Sequence, residues 1–326
     1  MDDHILSFSL FTKVFKNIQI YLIQRDSNAS ILKAHMKPEG NVFIKIFAEN
    51  CKDLLFEKQM YEYITNTTNS TNYSTYFVKL VKVFKISGSE LKFIVQSRQY
   101  RTEYMFYGIV TKHYDNSMKL CEYFSKNQLN SENIKHVKRI IFDILYGIYI
   151  LNLKLFIIHN DLHFGNIIYE ENILEYSQFY KIEGKEFSLQ KSFNVRIFDY
   201  DCSTKYNSEI KNTRLDDDYC KIYGSCNKYS QKDVYLIIVS LIEYVLKFKY
   251  TDLNPIINTL LDNNLSLKKA IIDNIKNERA FWSIFSSIKD NKFDLSDCSD
   301  TNFDFLNINK VIVKYMNKFK NDLQIK

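Results

Sequence analysis

Three side chains stand where phosphate chemistry would need them. Asp161 and Asn166 share the turn Ile158-His159-Asn160-Asp161-Leu162-His163-Phe164-Gly165-Asn166-Ile167, and Asp199 follows the run Val195-Arg196-Ile197-Phe198. A carboxylate in such a turn can orient an attacking hydroxyl and accept its proton, a role worth ~10²–10⁴ in rate. A further carboxylate and an amide oxygen are the hard ligands that magnesium takes. Phosphoryl transfer uses both kinds of group. Singly, each residue is more often a solvated or backbone-bonding turn residue. The weight lies in the set and its order.

The elements that must hold these residues follow from periodicity. Residues 1–111 are strand-rich, with strands expected at 18–23, 31–35, 42–47, 76–86, 91–96 and 104–111 and one helix from about 51 to 65. Residues 65–75 (TNTTNSTNYST) are polar and of low complexity, the composition of a mobile loop. Beyond residues 112–117 the pattern turns helical. Ile134, Val137, Ile141, Ile144, Ile148 and Leu151 make one apolar stripe, with Ser131 as an N-cap, and that helix ends just before the Asp161 turn. Residues 170–193 read as an insertion between two strands. From Ser230 the chain is helical again, with Ser230-Gln231-Lys232-Asp233 as a capping box. Three or four short helices are expected over 250–326.

Composition narrows the classes. The 326 residues can bury a large core, and 7 Gly with 2 Pro exclude collagen-like or linker-dominated chains. The net charge of +6 is spread along the chain, so clusters such as Lys135-His136-Val137-Lys138-Arg139 read as solvated helix faces. No arginine-rich arm or zinc-finger spacing argues for direct nucleic-acid binding. The six cysteines form no CxxC pair and are expected as reduced thiols. Asn66, Asn69 and Asn72 open glycosylation triplets of the kind an Asn-rich composition produces by chance. The longest apolar run, 234–246, contains Glu243 and is too short to span a bilayer. The expectation is an intracellular protein, and the Asn, Lys and Ile bias suits the AT-rich genome of a large virus or a protist. For a viral chain that means host cytoplasm or virion.

With these motifs the chain resembles the protein-kinase superfamily, whose catalytic loop reads His-Arg-Asp and then Asn, with Asp-Phe-Gly later. The Asp161-Leu162-His163-Phe164-Gly165-Asn166 form is similar to haspin-type kinases, protein kinases of large DNA viruses, and small-molecule kinases acting on aminoglycosides or choline. The resemblance spans about residues 20–250. It implies an α+β, bilobal fold: a small β-rich N-lobe (1–111) with one main helix, a hinge (112–117) and a larger, mainly helical C-lobe (118–326). It implies ATP and Mg²⁺, with Asp161 as catalytic base and Asn166 and Asp199 as metal and nucleotide ligands.

Further assignments rest on the same resemblance. Lys45, in Val42-Phe43-Ile44-Lys45, matches the Val-Ala-Ile-Lys signature and would pair with ATP phosphates; as a plain strand lysine it would only face solvent. Its expected partner is Glu57, with Glu62 as the rival. His163 stands where protein kinases carry a lysine, and is assigned near the base or the transferring phosphate. His159 is expected as a packed, hydrogen-bonded histidine. Asn160 replaces the Arg that pairs with an activation-loop phosphate, so activity is expected without such phosphorylation. The Gly-rich loop is missing: Ala29 and Ile31 occupy its nucleotide-covering positions after Asp26-Ser27-Asn28. Asp201 replaces the Gly of Asp-Phe-Gly. Asp233-Val234-Tyr235 resembles the large-lobe helix whose Asp bonds the catalytic loop's backbone. The function implied is a Ser/Thr protein kinase acting on proteins, basic ones among them, which Asp216-Asp217-Asp218 could recruit. The alternatives are a small-molecule kinase and a catalytically inactive pseudokinase scaffold.

Overall fold

A computed structural model describes residues 4–5, 8–24, 29–95, 103–127, 129, 133–205, 212, 231–276 and 307–324. The chain forms two compact units: Met1–Asn116 with Asp199–Asp201 and Ile210–Arg214, and Ser117–Phe198 with Cys202–Glu209 and Leu215–Lys326. The fold class is α+β, the first unit β-rich around one main helix and the second mainly helical.

In the first unit the elements run β1 (His4–Ile5), α1 (Phe8–Val14), β2 (Phe15–Gln24), β3 (Ala29–Met36), β4 (Gly40–Ala48), α2 (Lys52–Thr68), β5 (Leu80–Ser87), α3 (Gly88–Val95) and β6 (Met105–Lys112). They build a six-stranded sheet in the order β1-β5-β6-β4-β3-β2, antiparallel except for β1 beside β5. Strand alternation divides β4: Val42, Ile44 and Ile46 enter the core with Phe11, Phe15, Leu32 and Phe84, so Lys45 must leave the sheet on the opposite face.

Two expectations for this unit are corrected. Residues expected as a strand at 91–96 form α3 instead. Ser87 Oγ accepts from Glu90 N (3.3 Å) and donates to Glu90 Oε2 (3.1 Å), which starts a helix despite the apolar run that follows. The polar stretch at 65–75 is no irregular loop: α2 runs on to Thr68, where Thr67 and Thr68 hydroxyls donate to carbonyls one turn back, and a 3₁₀ turn covers Asn72–Tyr76.

The second unit contains β7 (Ser117–Lys119), α4 (Leu120–Lys126), α5 (Ile134–Leu153), β8 (Ile157–Ile158), β9 (Ile167–Ile182), β10 (Lys185–Ile197), β11 (Thr204–Lys205) and α6 (Gln231–Phe248). Helices Asn254–Leu260, Leu265–Lys276, Ile308–Lys318 and Lys320–Leu323 follow. Helix α5 is buried from Ile140 to Asn152, and Lys138 and Asp322, 2.7 Å apart, dock the C-terminal helix on it. Asn133, not Ser131, occupies the N-cap of α5; Ser131 and Ser230 lie outside the described residues.

The largest correction concerns 170–193, which is no insertion between strands. It belongs to a long antiparallel hairpin, β9–β10, with β7 on its other edge. Glu183 and Gly184 both take positive φ (48° and 80°), as a two-residue hairpin turn with the native twist requires. The inward face carries Tyr180, Phe187, Leu189, Phe193 and Val195, and also Lys191. Lys191 Nζ donates to Asp143 Oδ2 of α5 at 2.6 Å, and Tyr180 Oη donates to Asp143 Oδ1 at 2.7 Å. Among the described residues no helix is long and apolar enough to cross a membrane.

Candidate active site

In the first unit Lys45 gathers carboxylates from distant parts of the chain. Its Nζ donates to Glu57 Oε2 at 2.7 Å and to Asp199 Oδ1 at 3.1 Å. Glu57 lies on α2; the rival Glu62 instead faces Lys58 at 3.9 Å. Side-chain exposure rises across the cluster, from 2% at Glu57 through 18% at Lys45 to 34% at Asp199. The ammonium is thus clamped at a closed end and reachable from an open one. Burial opposes the charge on Lys45, but Glu57, Asp199 and Asp201 raise its pKa above the ordinary lysine range. Burial raises the Glu57 carboxyl, against the pull of Lys45. Three carboxylates therefore act on one ammonium, an excess of negative charge that suits a further cation.

Asp199 is held from its backbone as well. Its φ of 68° is left-handed, a region Asp tolerates better than bulkier residues. Its N–H donates to Tyr61 Oη at 3.2 Å, and Tyr61 sits one turn beyond Glu57 on the same face of α2. Tyr61 and Tyr200 rings pack edge-on at 5.0 Å, and Asn212 Nδ2 donates to Asp201 O at 2.8 Å. Ile31 is the cross-strand partner of Lys45, and Ala29 that of Phe47, so these two nucleotide-covering candidates occupy successive same-face positions of β3. Residues 25–28, in the place of the missing Gly-rich loop, lie outside the described residues, as do Asp216, Asp217 and Asp218.

In the second unit the Asp161 turn is pinned by Asp233 of α6. The fully buried Asp233 accepts from His159 N and Asn160 N, both at 2.9 Å, and from Asn152 Nδ2 at 3.1 Å. Burial pushes the Asp233 carboxyl up, and these donors pull it back. Asn160 takes φ 65° and sends Nδ2 to Cys202 O (3.0 Å) and Thr204 Oγ1 (2.8 Å). A neutral amide therefore ties the following segment by hydrogen bonds. His159 is buried and joins Phe198 O through Nε2 at 2.8 Å, a packed histidine as expected.

Asp161 and Asn166 come together. Asn166 Nδ2 donates to Asp161 O (2.9 Å) and Oδ2 (3.1 Å). With the amide nitrogen committed to Asp161, its oxygen is the atom left for another partner, a hard ligand of the kind a divalent cation takes. His163 Nδ1 accepts from Gly165 N at 3.0 Å, which leaves the ring proton on Nε2 in the neutral form. That Nε2 stands 3.9 Å from Asp161 Oδ2. A Cβ at Gly165 would lie 2.5 Å from the His163 ring, so only glycine lets the imidazole lie against this backbone. Phe198 N donates to Asn166 O at 3.2 Å, and the next residue is Asp199.

Tyr61, Asn152 and Thr204 escaped the sequence reading. The spacing of Tyr61 from Glu57 was a usable signal; nothing in the sequence points to Asn152 or Thr204. No family model and no curated protein sequence matches the chain. Solved structures do. The crystal structure of the PF14_0431 kinase domain matches at TM-score 0.41 and 15% identity, over 71% of this chain and 69% of that one. WaaP in complex with acyl carrier protein matches at TM-score 0.40 and 9% identity, over 97% of this chain and 92% of that one.

Proposed function

We propose that this chain is an ATP-dependent phosphotransferase acting on Ser/Thr hydroxyls of proteins, as the motif resemblance implies. The observation that carries the proposal is the meeting of Lys45, Glu57 and Asp199, separated by 12 and 154 positions, at one ammonium. A lysine fixed by a closed carboxylate and reachable beside an open one is suited to phosphate oxygens, which it meets as a point charge. Glu57 keeps Lys45 in place while phosphate competes with Asp199 for it.

Asp161 is the group for the acceptor. The acceptor oxygen bonds to the γ-phosphorus, the bond from that phosphorus to the β,γ-bridging oxygen breaks, and its electron pair leaves on ADP. The hydroxyl proton passes to the Asp161 carboxylate, which Asn166 orients through its Nδ2. Asp199 in the first unit and Asn166 in the second each offer a hard oxygen of the kind Mg²⁺ takes, and magnesium, when bound, would neutralise charge on the phosphates. His163 presents Nε2 on the Asp161 side of the turn and would meet the phosphoryl group or steady the base.

Purified protein incubated with γ-labelled Mg-ATP and a panel of basic proteins, acidic proteins, aminoglycosides and choline tests the proposal. Label is expected on Ser/Thr of protein, and is expected to vanish in an Asp161→Ala variant that melts like the wild type. Label on small molecules would replace the protein acceptor by another class. No transfer, with neither wild type nor variant stabilised by Mg-ATP, would reject the activity.

A further inference from the structure

The β7–β9–β10 sheet of the second unit has one face in the core and another to which the proposed function gives no role. Lys119 on β7 is the ladder partner of Ile168 on β9, and Ile168 that of Arg196 on β10, so the three side chains share a face. Tyr169 and Val195, one position along, pair on the buried face. The acid on the first face is already engaged: Glu170 Oε2 accepts from Arg196 Nη2 at 2.8 Å and from Asn194 Nδ2 at 3.0 Å. Lys119 is exposed, and among the described residues no hydrogen bond or ion pair engages its ammonium. What it meets is an aromatic ring, its Nζ standing 5.8 Å from the centroid of Phe198. So near the outer limit of about 6 Å the contact is weak, and it leaves the N–H donors for another partner.

The place of this ammonium is set by backbone that the phosphotransfer reading uses. Ile168 lies two residues after Asn166, and Phe198 immediately precedes Asp199. Phe198 N donates to Asn166 O at 3.2 Å, which ties the two stretches together. Lys119 is thus held by its strand opposite one side of this junction and reaches over the other with its side chain. We propose that Lys119 is a nucleotide-binding residue, its ammonium meeting a phosphate oxygen of Mg-ATP. This rests on the phosphotransfer reading above. A lysine meets phosphate as a point charge on a flexible stem, and that stem can leave the Phe198 ring without disturbing the ladder. Adenosine offers the charge no phosphate and should not sense Lys119. A contact made equally before and during transfer lowers KM and leaves kcat alone.

The test is calorimetric titration of adenosine, ADP and Mg-ATP into wild type, Lys119→Gln and Lys119→Arg, with melting temperature, kcat and the KM for ATP alongside. Lys119→Gln should bind ADP and Mg-ATP about tenfold more weakly, the loss of one hydrogen bond to a charged group. Its adenosine affinity, kcat and melting temperature should stay at the wild-type level. Lys119→Arg keeps the charge and should bind all three ligands much as wild type does. The gap between wild type and Lys119→Gln should narrow as salt rises from about 0.05 to about 0.5 M, because exposed charges are screened. Equal Mg-ATP affinity in wild type and Lys119→Gln would overturn the inference; joined to a lowered melting temperature, it would make Lys119 a packing partner of Phe198 and no more. An equal loss for adenosine would overturn it too, since the effect would not depend on phosphate. Wild type that binds Mg-ATP and transfers phosphate, matched by Lys119→Gln, removes this role alone. Wild type that neither binds Mg-ATP nor transfers phosphate rejects the phosphotransfer reading and this role with it.

Discussion

Each unit sets a lysine against carboxylate, and the two sites differ in charge balance and in opening. Lys191 is matched one to one by Asp143, with side-chain exposures of 3% and 1%, and Tyr180 supplies a further donor. The rings of Tyr176 and Phe193 lie 5.6 and 5.4 Å from its ammonium. Burial lowers its pKa, and Asp143 only partly restores it. Lys45 faces three carboxylates, opens toward solvent through Asp199, and has its pKa raised. A sealed, balanced pair locks the hairpin on α5 and has nothing left to bind. An open cluster with more carboxylates than ammonium is the arrangement on which the proposed Mg-ATP site rests. The contrast sets a sealed ion pair against the open cluster proposed as a binding site, without reference to any motif.

The largest effect expected from this contrast is on stability. Lys191→Met leaves the Asp143 carboxylate buried without its ammonium and should cost roughly 3–5 kcal/mol, read by denaturant unfolding. Turnover per folded molecule should stay at the wild-type level. Next comes Lys45→Met, which should lower phosphoryl transfer by about 10²–10³-fold with a far smaller change in melting, since Glu57 can take up a proton. Equal stability losses for the two variants would erase the distinction. Glu57→Gln should come third. It keeps the shape but weakens the clamp, and about 1–3 kcal/mol of interaction with a charged partner is at stake, read as a rise in the KM for ATP.

The smallest effect is in alkali, and its sign differs between the lysines. Lys191 has its folded pKa below the ordinary 10.5, so the unfolded chain binds more protons in that window and the pair's contribution to stability improves as pH approaches 10.5. Lys45 has its folded pKa above 10.5, so its contribution is complete below that pH and declines as pH rises beyond it. Melting temperatures of each variant relative to wild type, followed from pH 9 to about 11, should therefore drift in opposite directions.

How far the sequence was legible follows the same division. Lys45, Glu57, Asp161, Asn166 and Asp199 stand in short motifs whose local spacing survives folding, and the alternation of Val42, Ile44 and Ile46 displays the strand around Lys45 directly. The β9–β10 hairpin was misread because an inward position is filled by Lys191, which interrupts the apolar alternation of Phe187, Leu189, Phe193 and Val195. Outward Leu174 and Phe179 blur it further. Glu183-Gly184 was the available turn signal. Helix α3 was misread as a strand because Phe93, Ile94 and Val95 outweighed Ser87-Gly88-Ser89-Glu90, a start pattern that the structure uses. Asn152 and Thr204 could not be found, since their roles depend on backbone partners that only the fold brings near.

Calorimetric titration of Mg-ATP into wild type, Lys45→Met and Lys191→Met, each well below its melting temperature, tests the account most directly. Similar affinity is expected for wild type and Lys191→Met, with binding at least about tenfold weaker in Lys45→Met, the equivalent of ~1.4 kcal/mol. Lys45→Met binding as tightly as wild type, or no binding by any of the three, would contradict it.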